Sequence, residues 1–434
     1  MYRSVIKQAV VQKKAGFRWL LMAAGLPALA GVAHGQEALR LSMAGDTAAA
    51  QQSQYDASIG YYNLLVGPTA WRFSSGLTTE YNDNVRLQED GESDLIIRPS
   101  VNTQMHWPVS PKNSLDVSLY AGYSEYLQHS DLSQFFITPG SGLSFDVYAG
   151  DFKINLHDRV NITEEAYENA GTSANNQNLM RLQNTAGTSA LWDLNKALAN
   201  IGYDHVDYVS LSQSQGVPDA SSENVTANGG IRVLPELLLG LEGGGSIITY
   251  SQNNTLGAAP VPNALQWNFG GFGSEQVSDY INIRLDAGYT AYTPDGTTPG
   301  LLTSDTSGFY FSLALSHQVN QYLSYSLTAG RTTDLSYNGQ AQSYNYVRLN
   351  SQWSVFKNYQ ISTPIWWQQG TWLYNSSFQG TSDYQQIGVG FTVTRRLTKK
   401  LSASAGYQFV DQTSNRNLLR YNLDIVKLSL TYQF

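Results

Sequence analysis

The sequence predicts an all-β chain that closes into a transmembrane antiparallel up-and-down β-barrel of about 18 strands, with 16 as the alternative count. Three observations support this fold class. Apolar and polar residues alternate along many segments, the connections between these segments are short and long in turn, and the last segment ends on an aromatic residue. Alternation with a period of two indicates strands that have one apolar and one polar face.

The composition favours such a barrel over a soluble acidic enzyme. Charged residues make up only 14% of the 434 residues, well below the share of about a quarter that is typical of soluble domains. No stretch beyond the N-terminal region is long and apolar enough to predict a transmembrane helix. The chain has no Cys, which excludes disulfides and thiolate metal sites, and no cofactor is expected.

Residues 1–35 are predicted to be a cleaved secretory signal peptide. An apolar stretch ends at the small-x-small cleavage site Ala33-His34-Gly35, and it follows a basic region that contains Arg3, Lys7, Lys13, Lys14 and Arg18. Removing these five positive charges takes the formal net charge from -8 to -13. A surface this acidic argues against nucleic acid as a partner, since nucleic-acid binding needs basic stripes.

The rest of the chain divides into two regions. Residues 36–67 show almost no strand alternation, and we expect a periplasmic linker or a segment that plugs the barrel. Residues 68–434 are predicted to form the transmembrane barrel. Clear alternation begins at 71–81 and recurs to the end of the chain, with short connections such as 149–151 and long ones such as 163–180. Short periplasmic turns and longer outer loops are typical of transmembrane barrels.

The polar faces of the strands predict a hydrated lumen, because charged and amide side chains of mixed sign cannot form an apolar core. A barrel of about 18 strands is wide enough to leave an aqueous channel. The charged lumen-lining candidates are Arg98, Lys153, Arg159, Arg232, Arg284, Arg348, Asp116, Asp146, Glu242 and Asp286. Since both signs are present, the sequence leaves the ion selectivity open.

Two tryptophans near one outer rim are candidates for stacking on sugar rings. Trp366 should face the lumen if Trp367 faces lipid, and Trp372 follows on the same strand. Packing in an aromatic girdle at the membrane interface is the alternative explanation for this cluster, and both interpretations stay open.

Three other groups of residues have less support as sites. His205 with Asp207, and His157 with Ser or Asn neighbours, could belong to a rim enzyme, but the sequence shows only scattered residues and no positioned nucleophile. The first outer loop carries acidic residues that could bind Ca²⁺, although their spacing does not match an EF-hand loop: Glu89, Asp90, Glu92 and Asp94. Solvated rim and loop residues are the favoured interpretation, and the protein is not expected to be an enzyme.

The C-terminal strand resembles the assembly signal of bacterial outer-membrane barrels. Its alternating apolar residues end the chain with Leu428, Leu430, Tyr432 and Phe434. The resemblance implies recognition by the barrel-assembly machinery. Because an open strand edge is unstable in lipid, we also expect this strand to pair with 71–81 and close the ring.

The first strand and the stretch Tyr81-Asn82-Asp83-Asn84 resemble the outer-membrane β-barrel porin family, over a region that runs from Trp71 to Phe434. The resemblance implies the bacterial outer membrane, with lipid and lipopolysaccharide as surroundings. The expected function is passive diffusion of small polar solutes through a hydrated lumen. The alternatives are a conduit for exopolysaccharide export with periplasmic partners, as in some similar barrels, and a structural barrel with a plugged lumen. The sequence does not indicate an oligomeric state.

Overall fold

A computed structural model describes residues 62–163, 180–211, 219–251, 262–295, 306–335, 341–356, 358–373 and 381–434. The predicted signal peptide and residues 36–61 lie outside this part of the chain. In this part of the chain two short 3-10 turns accompany the strands, Ser130–Leu132 and Asn417–Leu419. In the described residues, no helix is both long and apolar enough to cross a membrane.

Within these ranges the strands follow one another along the chain with no other regular elements of comparable size. They are β1 (Leu64–Val66), β2 (Thr69–Asn82), β3 (Asp94–Pro108), β4 (Ser114–Tyr126), β5 (Gln134–Ala149), β6 (Phe152–Thr163), β7 (Arg181–Asp193), β8 (Ala197–Ser210), β9 (Ala220–Leu234), β10 (Leu237–Tyr250), β11 (Ala264–Ser278), β12 (Ile281–Pro294), β13 (Thr306–Gln318), β14 (Leu323–Leu335), β15 (Ala341–Phe356), β16 (Tyr359–Leu373), β17 (Thr381–Arg396), β18 (Leu401–Ser414) and β19 (Tyr421–Gln433).

Strands β2 to β19 form a closed ring of 18 strands. Each pairs antiparallel with its neighbours in chain order, and β19 returns to pair with β2. The predicted up-and-down barrel of about 18 strands is therefore confirmed, and the alternative count of 16 is wrong. Closure gives every strand a partner on both edges, which is the condition for placing a sheet in lipid.

The two ends of the barrel differ in their connections, as the sequence predicts. Eight connections of two to five residues lie at one end, and nine connections of five to seventeen residues lie at the other. We call these the short-turn end and the long-loop end. In transmembrane barrels the short turns face the periplasm and the longer loops face the outside.

The outer face of the ring is apolar. Its exposed side chains include Leu241, Phe269, Phe309 and Leu428. Aromatic rings pack against one another toward the short-turn end, where Trp71 stacks on Phe73, Phe152 on Trp192, and Tyr432 meets Phe434 edge to face. Aromatic belts at the membrane–water interface are typical of transmembrane barrels.

The seam between the last strand and the first involves β1 as well. Strand β19 pairs with Ser74 to Asn82, which leaves the start of β2 uncovered. There β1 pairs with Thr69 to Trp71. The side chain of Asn63 completes the edge between them: its Nδ2 donates to the Phe73 carbonyl at 2.7 Å, and its Oδ1 accepts from the Phe73 amide at 3.0 Å. The last residues of the segment 36–67 thus belong to the sheet, unlike a simple linker.

The interior is less uniformly polar than the sequence predicts. Buried apolar clusters lie near the long-loop end, where side chains inside the ring pack against loop residues. One contains Leu87, Val410, Tyr421, Leu423 and Ile425. The expectation of a polar lumen therefore holds for much of the wall but is wrong for this region, because a folded-in loop supplies apolar contacts there.

Candidate functional site: the lumen and its outer mouth

The first long connection, residues 83–93, bends into the mouth of the barrel. Leu87 is 4% exposed and packs in the cluster with Val410, Leu423 and Ile425. Its φ is +49°, a left-handed conformation that is uncommon for a leucine and costs free energy. The apolar contacts stabilise that conformation, so the loop narrows the mouth on the side of β18 and β19.

Ion pairs connect this loop to the next long connection. Arg86 Nε lies 3.1 Å from Glu92 Oε2, and Arg86 Nη2 lies 2.9 Å from Asp131 Oδ2. His129 lies between two carboxylates, with Nε2 3.0 Å from Glu92 and Nδ1 3.0 Å from Asp94. Glu92 and Asp94, two of the four residues considered for calcium, thus have basic side-chain partners. The described part of the chain contains no group of three or more His, Asp or Glu suited to a metal ion.

The lumen wall carries separate ionic clusters, each built across neighbouring strands. At the seam, Glu80 of β2 is buried between Arg98 of β3, with which it forms an ion pair, and Lys427 of β19, whose Nζ lies 3.1 Å from Glu80 Oε2. Arg98 Nε also donates to Ser124 Oγ at 3.0 Å.

A second cluster runs along β5 and β6 and continues to β8. Lys153 Nζ lies 3.0 Å from Asp146 Oδ2, and Asn155 Nδ2 donates to Asp146 Oδ1 at 2.7 Å. Asn155 Oδ1 lies 2.9 Å from His157 Nδ1, and His157 Nε2 lies 2.7 Å from Asp204 Oδ1. These five side chains, which are basic, acidic or neutral, are thereby linked in one continuous series of ion-pair and hydrogen-bond contacts.

A glycine between two strands permits the last contact of this chain. Gly187 of β7 is the register partner of both His157 and Asp204. A Cβ at Gly187 would lie 2.0 Å from Asp204 Oδ1 and 2.8 Å from His157 Nε2. Because Gly187 has no side chain, the imidazole of β6 and the carboxylate of β8 meet across β7.

A third cluster occupies the wall formed by β10, β12 and β13. Arg284 Nη2 lies 2.7 Å from Asp286 Oδ1 and 3.4 Å from Glu242 Oε2. Tyr310 donates to Glu242 Oε1 at 2.9 Å, and Ser312 donates to Asp286 Oδ2 at 3.0 Å. Both carboxylates are therefore held by an arginine and a hydroxyl.

The remaining charged candidates differ in their surroundings. Asp116 Oδ1 lies 2.6 Å from His106 Nδ1 near the short-turn end. Arg159 shares the inner face with Thr185, its register partner. Arg348 stacks on Tyr346, with its guanidinium carbon 5.2 Å from the ring centroid. Arg232 lies half-exposed near the short-turn end, 3.8 Å from Asp193.

The two candidate stacking residues have different outcomes. Trp366 pairs with Arg348 and Gly388 in the register of the sheet and is partly buried against the apolar cluster around Leu423. This packing puts its side chain on the same side of the wall as Leu423 and Ile425. Trp372 belongs to the outer end of β16, but its side chain lies outside the described part of the structure.

The candidate catalytic residues do not come together. His157 is inside the wall, with both ring nitrogens facing Asn155 and Asp204. His205 lies on the outer face, between Glu223 at 2.8 Å and Asp207 at 3.2 Å. Among the described residues, neither imidazole is hydrogen bonded to a serine or threonine hydroxyl.

Sequence reasoning missed several residues that shape the lumen: Glu80, Asp204, Lys427 and Arg72. All four lie on the polar faces of their strands, so counting in steps of two from known lumen positions would have found them. Their partners are on other strands, which no local pattern reveals.

Comparisons with known proteins gave similarity in structure alone. No protein-family model matches the chain, and no curated protein matches it in sequence. Solved structures that it resembles include Pseudomonas aeruginosa OccK2 (OpdF), at 9% identity and a TM-score of 0.48, covering 84% of this chain and 97% of that one. The Pseudomonas aeruginosa outer membrane protein OpdK has 8% identity and a TM-score of 0.48, and the alignment covers 84% of this chain and 98% of that one. Acinetobacter baumannii OccAB3 has 10% identity to this chain and a TM-score of 0.44, and the alignment covers 85% of this chain and 100% of that one.

Proposed function

We propose that this chain forms a water-filled channel in the bacterial outer membrane, through which small polar solutes pass by diffusion. The observation that carries the proposal is the two-sided wall of the closed ring. Exposed apolar side chains cover its outer face, and charged and amide side chains form clusters along its inner face. Such a wall is stable when lipid lies outside and water lies inside.

The dimensions of the ring support a channel with a narrowed mouth. Eighteen strands leave a lumen wider than side chains alone fill. The loop 83–93 reduces that width at the long-loop end, since Leu87 is anchored inside the ring. Size selection would therefore occur near the outer mouth, and charge selection along the wall below it.

This function requires neither a cofactor nor a catalytic group. The protein contributes a fixed arrangement of charges, and the gradient of the solute drives transport. Lipid and lipopolysaccharide would surround the apolar outer face. The barrel-assembly machinery would recognise the exposed C-terminal residues Leu428, Leu430, Tyr432 and Phe434.

Reconstitution in planar bilayers tests the channel function. The full chain, purified from membranes, should produce discrete steps of ionic current, whereas the same preparation unfolded by heat should produce none. Native protein that inserts without any conductance would contradict an open lumen. Small polyethylene glycols should enter the lumen and lower the current, and polymers larger than the mouth should not. Entry of long polysaccharide chains would favour the export alternative.

A further inference from the structure

We propose that Arg348 and Trp366 form a subsite in the lumen for a sugar ring that carries a phosphate or carboxylate group. This inference rests on the proposed channel function and adds the class of solute. Arg348 and Trp366 are direct cross-strand partners on β15 and β16. Both lie near the middle of their strands, so a solute that crosses the barrel must pass them.

Trp366 lies flat on the wall. Its register partner on β17 is Gly388, and a Cβ there would lie 2.0 to 2.4 Å from the ring atoms Cζ2, Cε2 and Cη2. The indole Nε1 donates to Gln386 Oε1 at 3.3 Å, which holds the ring in this orientation. One ring face therefore covers Gly388, and the half-buried ring also packs against the apolar cluster that contains Leu423. The subsite requires the opposite ring face to meet the solute.

Arg348 presents a guanidinium group in a fixed plane beside this ring. Stacking on Tyr346 holds the guanidinium, with 5.2 Å from its carbon to the ring centroid. Arg98, Lys153 and Arg284 each form ion pairs with carboxylates of the wall. Within the described ranges, Arg348 has no carboxylate partner. Its forked donors are thus available to an anion in the lumen.

The two groups together define what the subsite selects. The face of an aromatic ring packs on the C–H groups of a sugar ring, and a stacked guanidinium binds a phosphate or carboxylate through paired hydrogen bonds. A neutral sugar would gain only the first contact, and a small anion without a ring would gain only the second. A sugar with an anionic group would gain both.

Block of the single-channel current measures this selectivity. Glucose 6-phosphate is the probe, with glucose and glycerol 3-phosphate as matched solutes that each lack one feature. Glucose 6-phosphate should interrupt the current in a saturable way, with an affinity about tenfold or more above either control, since a hydrogen bond to a charged group contributes on that order. Equal block by all three solutes would show that the lumen has no such subsite.

Variants locate the subsite on the wall. Arg348→Gln and Trp366→Leu should each weaken block by glucose 6-phosphate about tenfold. Arg72→Gln is the matched control, because it removes a lumen arginine on β2 that is distant in the sheet from β15 and β16, and it should weaken the block much less than Arg348→Gln does. Correct assembly of each variant is checked by the heat-dependent mobility of the barrel in detergent gels.

The outcomes distinguish this subsite from the channel itself. If Arg72→Gln weakens the block as much as Arg348→Gln does, the positive charge of the lumen in general is responsible. That result would contradict the proposed subsite but not the channel function. If Arg348→Gln does not assemble, the test relies on Trp366→Leu. An unchanged affinity of that variant for glucose 6-phosphate would contradict the proposed subsite. Absence of any current from the parent protein would contradict the channel function instead.

Discussion

At the scale of single residues, the corner after β2 is held by several hydrogen bonds at the mouth. Asn84 is 1% exposed, and its Nδ2 donates to the carbonyls of Gln88 at 2.7 Å and Asn422 at 2.9 Å, while its Oδ1 accepts from the Gln88 amide at 3.0 Å. The Asp424 amide donates to Asp83 Oδ1 at 2.7 Å. The stretch Tyr81-Asn82-Asp83-Asn84 therefore joins the inward loop to the last strand.

We predict that Asn84→Ala loosens this corner. Loss of three hydrogen bonds at a buried site should lower the free energy of unfolding by about 2 kcal/mol. It should also increase the noise of the open-channel current, because Leu87 would be held less firmly. The midpoint of heat-induced unfolding in detergent gels and current recordings measure the two effects.

Asn350→Ala is the control for that change. Asn350 is exposed on β15, and the described structure shows no hydrogen bond of its side chain. An equal loss of stability in both variants would contradict a specific role of Asn84.

At the scale of elements, closing the ring requires two segments on one edge of β2. β19 covers the outer part of that edge, and β1 with Asn63 covers the part near the short turns. The amide of Phe434 donates to the Phe73 carbonyl at 3.2 Å, at the point where the two segments meet. The side chain of Phe434 is exposed on the outer face, where lipid or the assembly machinery can contact it.

We predict that deletion of Phe434 lowers the amount of assembled barrel severalfold without changing the single-channel conductance. The exposed ring serves recognition during assembly, whereas the lumen wall is formed by other residues. The amount of folded protein in isolated outer membranes measures assembly. Single-channel recordings of the variant protein that does assemble measure the conductance. Phe434→Tyr should assemble normally, because it keeps a terminal aromatic ring. Normal assembly after the deletion would contradict the role of Phe434 in recognition by the assembly machinery.

At the scale of the whole molecule, acidic and basic side chains of the lumen wall differ in how they are paired. Each acidic side chain of the wall has a basic or hydrogen-bonding partner: Glu80, Asp116, Asp146, Asp204, Glu242 and Asp286. Arg72, Arg159 and Arg348 have no carboxylate partner in the described part of the chain. The field in the lumen should therefore favour anions, even though the numbers of acidic and basic side chains are close.

We predict a chloride-to-potassium permeability ratio above one, roughly twofold, because of these three arginines. The reversal potential in a potassium chloride gradient measures it. Replacing all three by Gln should bring the ratio to one or below. The charge-matched control replaces Arg86, Arg232 and Arg420, which lie in loops or at the rim, and it should change the ratio less. A cation-selective parent channel would contradict the prediction.

Prediction from sequence was successful where the information is local. Alternation along 71–81 and 401–409 predicted strands β2 and β18. Parity within strands assigned Arg98, Lys153 and Arg284 to the lumen, and each of the three forms an ion pair with a carboxylate of the barrel. The apolar interior was missed, because Leu423 and Ile425 lie on the inner face of β19, opposite to the regular apolar face that begins at Val426. Only the insertion of Leu87 explains why apolar side chains are stable at those positions.

The sequence by itself determined the strands, the two faces of the wall, and the closing role of its last strand. These properties follow from a period of two, which each short segment expresses independently of the others. Only the tertiary structure decided which charges meet. The Glu80–Lys427 contact joins residues from opposite ends of the chain, and the His157–Asp204 contact crosses a third strand at Gly187. Such contacts depend on the register of the closed ring, which all 18 strands set together.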